Sequence, residues 1–501
     1  MMKFLAVITL LLVAGCVHVG PEYHRPNIDI PPRFEGSRAL KSHLKGSGMW
    51  WRDFHDGKLD RLIDQAINNN LDIKASAFRI VQMHYQLIQA RSQRLPRLDL
   101  SGRAAKTRET FGITLPSVYR KRSTVDTYNL AAAASFELDI WGRIASLNES
   151  AREQFLEARD TRNSVINSII AETAALYFQE QALLQRIDLA KAIIDDQKNT
   201  LRITEERYNR GITGILELKN ASTELKRLES RLTTLVQELN TTRQKICVLL
   251  GKYPSTRQKV SVCQLPYDFP SAGHAGKQTS LNISSYIRDY TFDYVDQMSP
   301  VPSGIPSELL ERRPDIRAAE ARLKSINAQV GVAKAARFPS IKLTSTYGYI
   351  SDSFRELIRP DSMLSEMAMG ITQPIFNAGA LKAEQRAMEA QYKQVQMDYA
   401  KTVLNAFFEV ENALMTEHKL LERRKDIVKI KGNTASSLSI IESRYSGGLV
   451  DYTKVLGARK AYLDILDELS NVDLAILTNR VSLYRALGGV SLEQIDKKQG
   501  D

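Results

Sequence analysis

The pattern of apolar and polar residues is helical in two long windows of the chain that contain no proline. The first window lies between Pro116 and Pro254, and the second begins after Pro374. In each window the spacing of apolar residues predicts a long helix, a pair of glycines and a shorter returning helix. The four predicted helices cover residues 144–208, 216–250, 381–445 and 453–487. The two long helices would each reach on the order of 100 Å, at about 1.5 Å per residue.

Apolar and polar residues alternate in four other segments, which predicts four β-strands. The strands cover about 97–109, 126–140, 340–350 and 363–375. Their length and alternation fit transmembrane barrel strands of about 9–11 residues, with a soluble two-layer sheet as the alternative. Four strands cannot close a barrel, and an open sheet edge cannot face lipid. If the strands lie in a membrane, several chains must therefore share one barrel.

The predicted elements occur twice in the same order. Residues 72–100 recur at 315–343 with an offset of 243, and residues 207–251 recur at 444–488 with an offset of 237. Two long stretches that keep their register predict two similar halves around a pseudo-twofold axis or a ring. Helical hairpins of this length cannot bury an apolar face alone. Together with the strands, they predict a ring-shaped oligomer with a hollow axis.

The first residues predict a leader peptide. Lys3 precedes an apolar run that ends in Leu12-Val13-Ala14-Gly15-Cys16, which is typical of a bacterial lipobox. Residues 1–15 are therefore predicted to be a signal peptide, and Cys16 to be lipidated and anchored in membrane lipid. An ordinary signal peptide with an incidental cysteine is the alternative. Val17, in place of an aspartate, favours the outer membrane.

Composition adds little that is specific, and the chemistry-bearing motifs of enzymes are missing from the sequence. The net charge of +12 is interspersed along helical faces, and the leader points outside the cytoplasm, so we expect no nucleic-acid partner. The sequence contains no GxxxxGK[ST], GxSxG or HExxH motif, and its seven histidines lack metal-ligand spacing. We therefore expect no enzyme activity, no metal and no cofactor. Cys247 and Cys263 form either a disulfide or two unpaired thiols.

Four segments carry a resemblance to a known family. They are Gly20–Pro26, Trp50–Phe54, the stretch IPSELLERRPDIRAAE at 305–320, and GVAKAARFP at 331–339. With these motifs the chain resembles outer membrane factors of the TolC/NodT type, in their lipoprotein branch. Such proteins are the exit ducts of tripartite efflux and secretion systems. The resemblance leaves the cargo open, since drugs, metal ions, lipids and polypeptides all leave by similar ducts.

The resemblance implies a fold that is mainly α with transmembrane β. We expect a TolC-like homotrimer with a periplasmic α-barrel, and a shared twelve-stranded β-barrel to which each chain gives four strands. The partners would be a periplasmic adaptor, an inner-membrane pump and outer-membrane lipids. The expected division is a signal peptide (1–15), a lipidated and equatorial segment (16–66), repeat 1 (67–251), an equatorial linker (252–312), repeat 2 (313–489) and a tail (490–501).

The resemblance also implies a gate at the periplasmic tip, where the helical hairpins turn. Tyr445 occupies the gate-tyrosine position, and Glu217 occupies an acidic position that can accept its hydrogen bond. The family often has an aspartate ring beyond the second turn, where this chain has Lys454. Asp451 lies three residues earlier and would partly replace that ring. A ring of Lys454 side chains would favour anions.

The turns themselves carry the glycines. Gly211, Gly214, Gly447 and Gly448 lie at the predicted hairpin tips, where the family docks its adaptor.

The competing interpretation of the whole chain is a periplasmic coiled-coil lipoprotein with a structural role. It would be anchored only by Cys16, and its strands would form a soluble sheet without channel activity.

Overall fold

The computed structural model describes residues 18–31, 34, 49–113, 119–254, 293–296 and 306–490. A short 3₁₀ helix covers Trp50–Phe54. The α-helices, numbered in chain order, are α1 (Gly57–Asn69), α2 (Leu71–Ser92), α3 (Arg143–Asn209), α4 (Ile215–Leu249), α5 (Asp293–Asp296), α6 (Pro306–Arg312), α7 (Pro314–Ala335), α8 (Ala380–Ser446) and α9 (Tyr452–Ala486).

Four strands form one antiparallel sheet. They are β1 (Arg97–Ile113), β2 (Tyr119–Leu138), β3 (Ser340–Ser351) and β4 (Met363–Thr372), in the order β1-β2-β3-β4. The central β2–β3 pair joins the two sequence repeats, with Leu138 opposite Ile341. Strand β4 ends earlier than the alternation predicts, because Pro374 follows and has no N–H for the ladder. The expected fold class is confirmed for the chain, which is mainly helical with four strands in two structural repeats.

Side-chain caps fix where the first helices begin. The carboxylate of Asp56 accepts hydrogen bonds from the backbone N–H groups of Lys58 and Leu59 at the start of α1, at 2.8 and 3.4 Å. Asn70 starts α2 in the same way, because its Oδ1 accepts from the backbone N–H of Asp72 at 2.9 Å. Its Nδ2 donates to the carbonyl of Leu249 at 3.0 Å. Asn70 thereby ties the α1–α2 junction to the end of α4.

Helix α8 runs without interruption through Gly432, although a glycine inside a helix lowers its stability. A Cβ added at Gly432 would meet no atom within 4 Å. No packing contact therefore requires the glycine, and the helix tolerates its propensity cost of about 1 kcal/mol over such a length. Among the described helices, none combines the length and the apolar character that crossing a membrane requires.

The chain divides into two compact units, and each combines segments of both repeats. The first contains residues 1–28, 78–159 and 318–401, and the second contains residues 29–77, 160–317 and 402–501. The sheet lies in the first unit. The second has an extensive apolar core, in which the Trp50 ring stacks on Tyr484 with centroids 5.1 Å apart.

In the first unit, the N-terminal segment is held along α7 by polar contacts. Asn327 Nδ2 donates to the carbonyl oxygen of Pro21 at 2.9 Å. The Arg25 guanidinium donates to both carboxylate oxygens of Glu320, at 3.1 and 2.6 Å. Burial raises the pKa of the nearby Tyr23 hydroxyl, and the Glu320 charge raises it further. The segment GPEYHRP at residues 20–26 is therefore attached to one helix.

Candidate functional site

The two hairpin turns that the sequence singles out have the same backbone geometry. Gly211 and Gly448 have φ angles of 68° and 73°, in the left-handed region that favours glycine. The backbone N–H of Ile212 donates to the carbonyl of Arg207 at 2.9 Å, and Leu449 makes the corresponding bond at 2.9 Å. This six-to-one bond ends a helix in a Schellman motif. Both long helices therefore end in the same way.

The other two predicted tip glycines have ordinary backbone angles. Gly214 is the N-cap of α4 with φ −86° and ψ 162°. Gly447 donates a backbone hydrogen bond to the carbonyl of Ser443 at 3.2 Å, which continues the helical pattern for one more residue. Large apolar side chains are exposed around the turns: Ile212, Ile215, Leu216 and Leu449. The turns thus present an apolar surface on a fixed backbone.

Tyr445 lies next to the first hairpin, but its partner differs from the expected one. Its hydroxyl accepts a hydrogen bond from Arg207 Nη1 at 3.0 Å, and the guanidinium carbon lies 5.6 Å from the ring centroid. Glu217 instead accepts from the Thr213 hydroxyl. No hydrogen bond joins Tyr445 to Glu217 in this structure. Thr213 lies four residues before Glu217 at the start of α4, and it reaches the carboxylate locally.

The charges beyond the second turn are exposed. Asp451 is the N-cap of α9, yet its side chain makes no capping hydrogen bond. The backbone N–H of Lys454 donates to the Asp451 carbonyl at 3.1 Å, and no ion pair joins the two side chains. Asp451 therefore does not neutralise Lys454 through a direct contact, and the ammonium group of Lys454 faces solvent.

The structure adds a buried polar group that the sequence analysis missed. Tyr452 is 2% exposed and donates its hydroxyl hydrogen to Gln197 Oε1 at 3.3 Å. Burial raises the pKa of the Tyr452 hydroxyl, although the hydrogen bond to Gln197 lowers it. Gln197 Nε2 donates in turn to the carbonyl of Ala221 at 3.0 Å. This chain of hydrogen bonds connects α9, α3 and α4.

One arginine nearby connects three helices. Arg459 Nη1 donates to Asp196 Oδ2 of α3 at 2.5 Å. Its Nε and Nη2 donate to Glu442 Oε1 of α8, at 3.0 and 2.9 Å. The Arg459 side chain is 20% exposed. The signal for it in the sequence is a polar residue within the apolar stripe of α9, which Tyr452, Val455, Tyr462 and Leu466 form at helical spacing.

The remaining predicted site residues are the three cysteines, of which the structure describes Cys247. Cys16 and Cys263 lie outside the described residues. Cys247 is disulfide-bonded, so the interpretation of two unpaired thiols is wrong for this residue. Within the described ranges, no group of three or more His, Cys, Asp or Glu side chains is arranged to hold a metal ion.

Comparisons with known proteins find relatives over almost the whole chain. The sequence profile described as outer membrane efflux protein matches residues 62–252 and 305–489. The chain is 25% identical over 494 residues to SilC, a probable outer membrane lipoprotein of Salmonella typhimurium, covering 97% of this chain and 98% of that protein. It is 29% identical over 462 residues to OpmQ, a pyoverdine export outer membrane protein of Pseudomonas putida, covering 92% of each.

Solved structures agree with these sequence relatives. The structure of the outer-membrane channel OprN superposes with a TM-score of 0.80 at 26% identity, covering 94% of this chain and 99% of that one. The structure of CusC, described in connection with transmembrane channel formation, superposes with a TM-score of 0.77 at 25% identity, with the same coverage. The similarity in sequence and in structure extends through both repeats.

Proposed function

Because the chain belongs to the outer membrane efflux protein family, we propose that it is the exit duct of a tripartite export system. It is an efflux channel of the outer membrane. In the proposed system an inner-membrane pump supplies the energy, and a periplasmic adaptor passes the cargo to this channel. The observation that carries the proposal is the match of the family to both repeats, which contain the sheet and both helical hairpins.

A channel needs a closed wall, and we propose that three copies of the chain form it. Strands β1 and β4 each have one neighbour in the described sheet, so both edges are free to pair with another copy. Helix α2 also exposes a stripe of large apolar side chains at helical spacing: Phe78, Val81, Tyr85 and Ile88. Such a stripe on a charged helix supports packing against a neighbouring copy.

We propose that the hairpin turns form the gate and that Tyr445 belongs to its lock. The support is the contact between Tyr445 on α8 and Arg207 on α3, which joins the two hairpins near their turns. A hydrogen bond to a charged donor contributes roughly 1.5–3 kcal/mol. That is enough to favour a closed state and small enough for a partner to overcome. Glu217, Asp451 and Lys454 line the same end of the hairpins.

Conductance across planar lipid bilayers tests the channel and the gate together. The Tyr445→Phe variant keeps the ring and loses only the hydroxyl, so we expect it to conduct more than the wild type. Tyr208→Phe is the matched control, because Tyr208 is the counterpart of Tyr445 in the first repeat. No conductance in the wild type or in Tyr445→Phe would overturn the channel. Equal conductance of Tyr445→Phe and wild type would remove Tyr445 from the lock.

We propose that the adaptor docks on the apolar side chains around Gly211, Gly214, Gly447 and Gly448. Leu449 is 77% exposed, Leu216 is 70% exposed and Ile212 is 67% exposed, and a group of exposed apolar side chains at one end of the hairpins supports a protein-binding surface. Leu449→Ser should reduce copurification of the adaptor while leaving conductance intact. Unchanged copurification would argue against docking at this surface.

We further propose that Cys16 carries a lipid anchor in the outer membrane, and that the chain has no enzymatic role. Mass spectrometry of the mature N-terminus tests the anchor, with Cys16→Ser as the unlipidated reference. An unmodified Cys16 would contradict it. The competing role as a periplasmic scaffold without channel activity lacks support, because the relatives with solved structures are named as channels.

A further inference from the structure

Each of the two helical hairpins has its own internal hydrogen bond at one level of the second unit. In the first hairpin, Gln197 of α3 donates to the carbonyl of Ala221 of α4 at 3.0 Å. In the second hairpin, Arg459 of α9 donates to Glu442 of α8 at 2.9 Å. These bonds can persist while one hairpin moves against the other, because neither crosses between the hairpins.

Two other bonds at the same level do cross between the hairpins. Tyr452 donates to Gln197 at 3.3 Å, and Arg459 donates to Asp196 at 2.5 Å. The second is charge-assisted and shorter, and both of its side chains are about one-fifth exposed. Charge-assisted bonds are roughly twice as strong as neutral ones. The Arg459–Asp196 bond is therefore the strongest polar connection between the hairpins at this level.

Beyond Arg459, an apolar cluster joins the hairpins, next to ion pairs of Asp467 on α9 with Arg186 on α3 and Arg231 on α4. Leu189 of α3 packs with Leu438 of α8 and with Tyr462 and Leu466 of α9, and all four side chains are buried. An apolar cluster of this kind resists separation, because opening it would expose its surface to water. Towards the turns, a second and smaller apolar cluster crosses between the hairpins, where Ala221 of α4 packs with Tyr452 and Val455 of α9.

A charged residue at Arg459 also interrupts an otherwise apolar stripe on α9. A polar residue in such a stripe costs stability, and its best-attested use is to specify one register or arrangement of helices. At this position, Arg459 specifies how the second hairpin packs against Asp196 of the first.

We infer that Arg459 and Asp196 form a second lock of the channel, deeper than the Tyr445 contact at the turns. The inference rests on the proposed gating function of the hairpins. Release of Tyr445 frees only the tips, and full opening then requires the Arg459–Asp196 bond to break. Arg459 acts as a positioning residue, because it holds one hairpin against the other through Asp196 and does not itself need to touch the cargo.

The test compares two variants of the full-length protein. Each variant neutralises one of the two carboxylates that accept hydrogen bonds from Arg459. Asp196→Asn weakens the bond between the hairpins, whereas Glu442→Gln weakens only the bond within the second hairpin. In planar bilayers, Asp196→Asn should raise the open-to-closed ratio about ten- to hundredfold, the range of one hydrogen bond to a charged group. Glu442→Gln should raise it by less than about threefold, because a bond within one hairpin does not oppose opening.

Arg459 variants separate a gating role from a general loss of structure. Arg459→Gln should open the channel like Asp196→Asn, and Arg459→Lys, which keeps the charge, should restore part of the closed state. Thermal unfolding by circular dichroism verifies that each variant is folded. Equal effects of Asp196→Asn and Glu442→Gln, or wild-type gating in Asp196→Asn, would overturn the second lock alone. Absence of conductance in every variant and the wild type would overturn the channel function together with it.

Discussion

Arg313 donates a hydrogen bond from Nη1 to the carbonyl oxygen of Ala486, the last residue of α9, at 3.0 Å. The same guanidinium donates to both carboxylate oxygens of Asp315 and to Glu409 of α8. Asp315 and Glu409 raise the pKa of Arg313 although burial alone would lower it. The arginine therefore joins the start of α7 to α8 and closes the C-terminal end of α9.

Arg313→Ala should destabilise the second unit by about 3 kcal/mol, because it leaves a helix-end carbonyl and two carboxylates without their shared donor. The measurement is the shift in the thermal midpoint of far-ultraviolet circular dichroism. Arg61 on α1 of the same unit is exposed, so Arg61→Ala should change the stability by less than about 0.5 kcal/mol. Similar shifts in both variants would contradict the role assigned to Arg313.

Glu320 should make the N-terminal attachment sensitive to acid. Burial would raise the pKa of this carboxyl, but hydrogen bonds from Arg25 and Lys324 outweigh it and hold the pKa below its ordinary value. A carboxyl with a lowered pKa stabilises the fold above its unfolded pKa, and this contribution is lost as the pH falls through the folded pKa.

We therefore expect wild type to melt at a higher temperature than Glu320→Gln at pH 7, and the difference to shrink below about pH 4.5. The exposed pair of Lys226 and Glu229 offers a control, because Glu229→Gln should have little effect at either pH. A difference that stays constant between pH 7 and pH 3 would show that the Glu320 charge does not contribute.

Gly448→Ala should weaken the second hairpin turn, although there is room for the added methyl group. A Cβ at Gly448 would meet nothing within 4 Å, so the cost comes only from the φ angle of 73°. That cost is about 1–2 kcal/mol for a residue with a Cβ. Hydrogen exchange of the amides in 446–451 measures it. Gly447→Ala is the control, since Gly447 has no positive φ and should exchange like the wild type.

Lys454→Asp should shift the channel towards cations, because the exposed ammonium group is replaced by a carboxylate at the same height in each copy. The reversal potential in a salt gradient across a bilayer measures the change. Lys429→Asp makes the same change of net charge on an exposed part of α8 and serves as the control. An unchanged reversal potential in Lys454→Asp would exclude Lys454 from ion selection.

Cys247 should be linked to Cys263, since the chain has three cysteines and Cys16 is predicted to carry lipid. Peptide mapping under non-reducing conditions should recover the linked pair, and reduction should separate it. For a loop of about 15 residues, loss of the bond costs about 3 kcal/mol. A free thiol at Cys247, or a link to Cys16, would contradict the pairing.

The bounds of the long helices could be predicted from the sequence, because Pro, Gly and apolar spacing mark them locally. The structure has α8 at Ala380–Ser446, against 381–445 in the sequence. Strand β2, however, begins at Tyr119, whereas the alternation predicts that it begins at residue 126. Residues 119–125 have no clear alternation, and they are strand because they pair with β1, with Tyr119 opposite Ile113.

The partners within the site could not be predicted in the same way. Tyr445 and its donor Arg207 are 238 residues apart, so only the folded chain brings them together. The family resemblance implied Glu217 as the acceptor, because Glu217 occupies the acidic position that can accept a hydrogen bond from the gate tyrosine. The Glu217 carboxylate instead accepts a hydrogen bond from Thr213, which lies only four residues earlier in the chain. Residue types near a turn predict where contacts form, but they do not determine which pairs form.

The equal helix lengths of the two repeats constrain how this chain can change over evolutionary time. Helices α3 and α8 each have 67 residues, and α4 and α9 each have 35. One inserted residue would rotate every later side chain by about 100° and shift it by about 1.5 Å. The offset between the repeats changes from 243 to 237 between Leu100 and Arg143, in the strands and their loop. The six-residue difference between the repeats is therefore accommodated in the strands and their loop, where it leaves the facing side chains of the long helices in register.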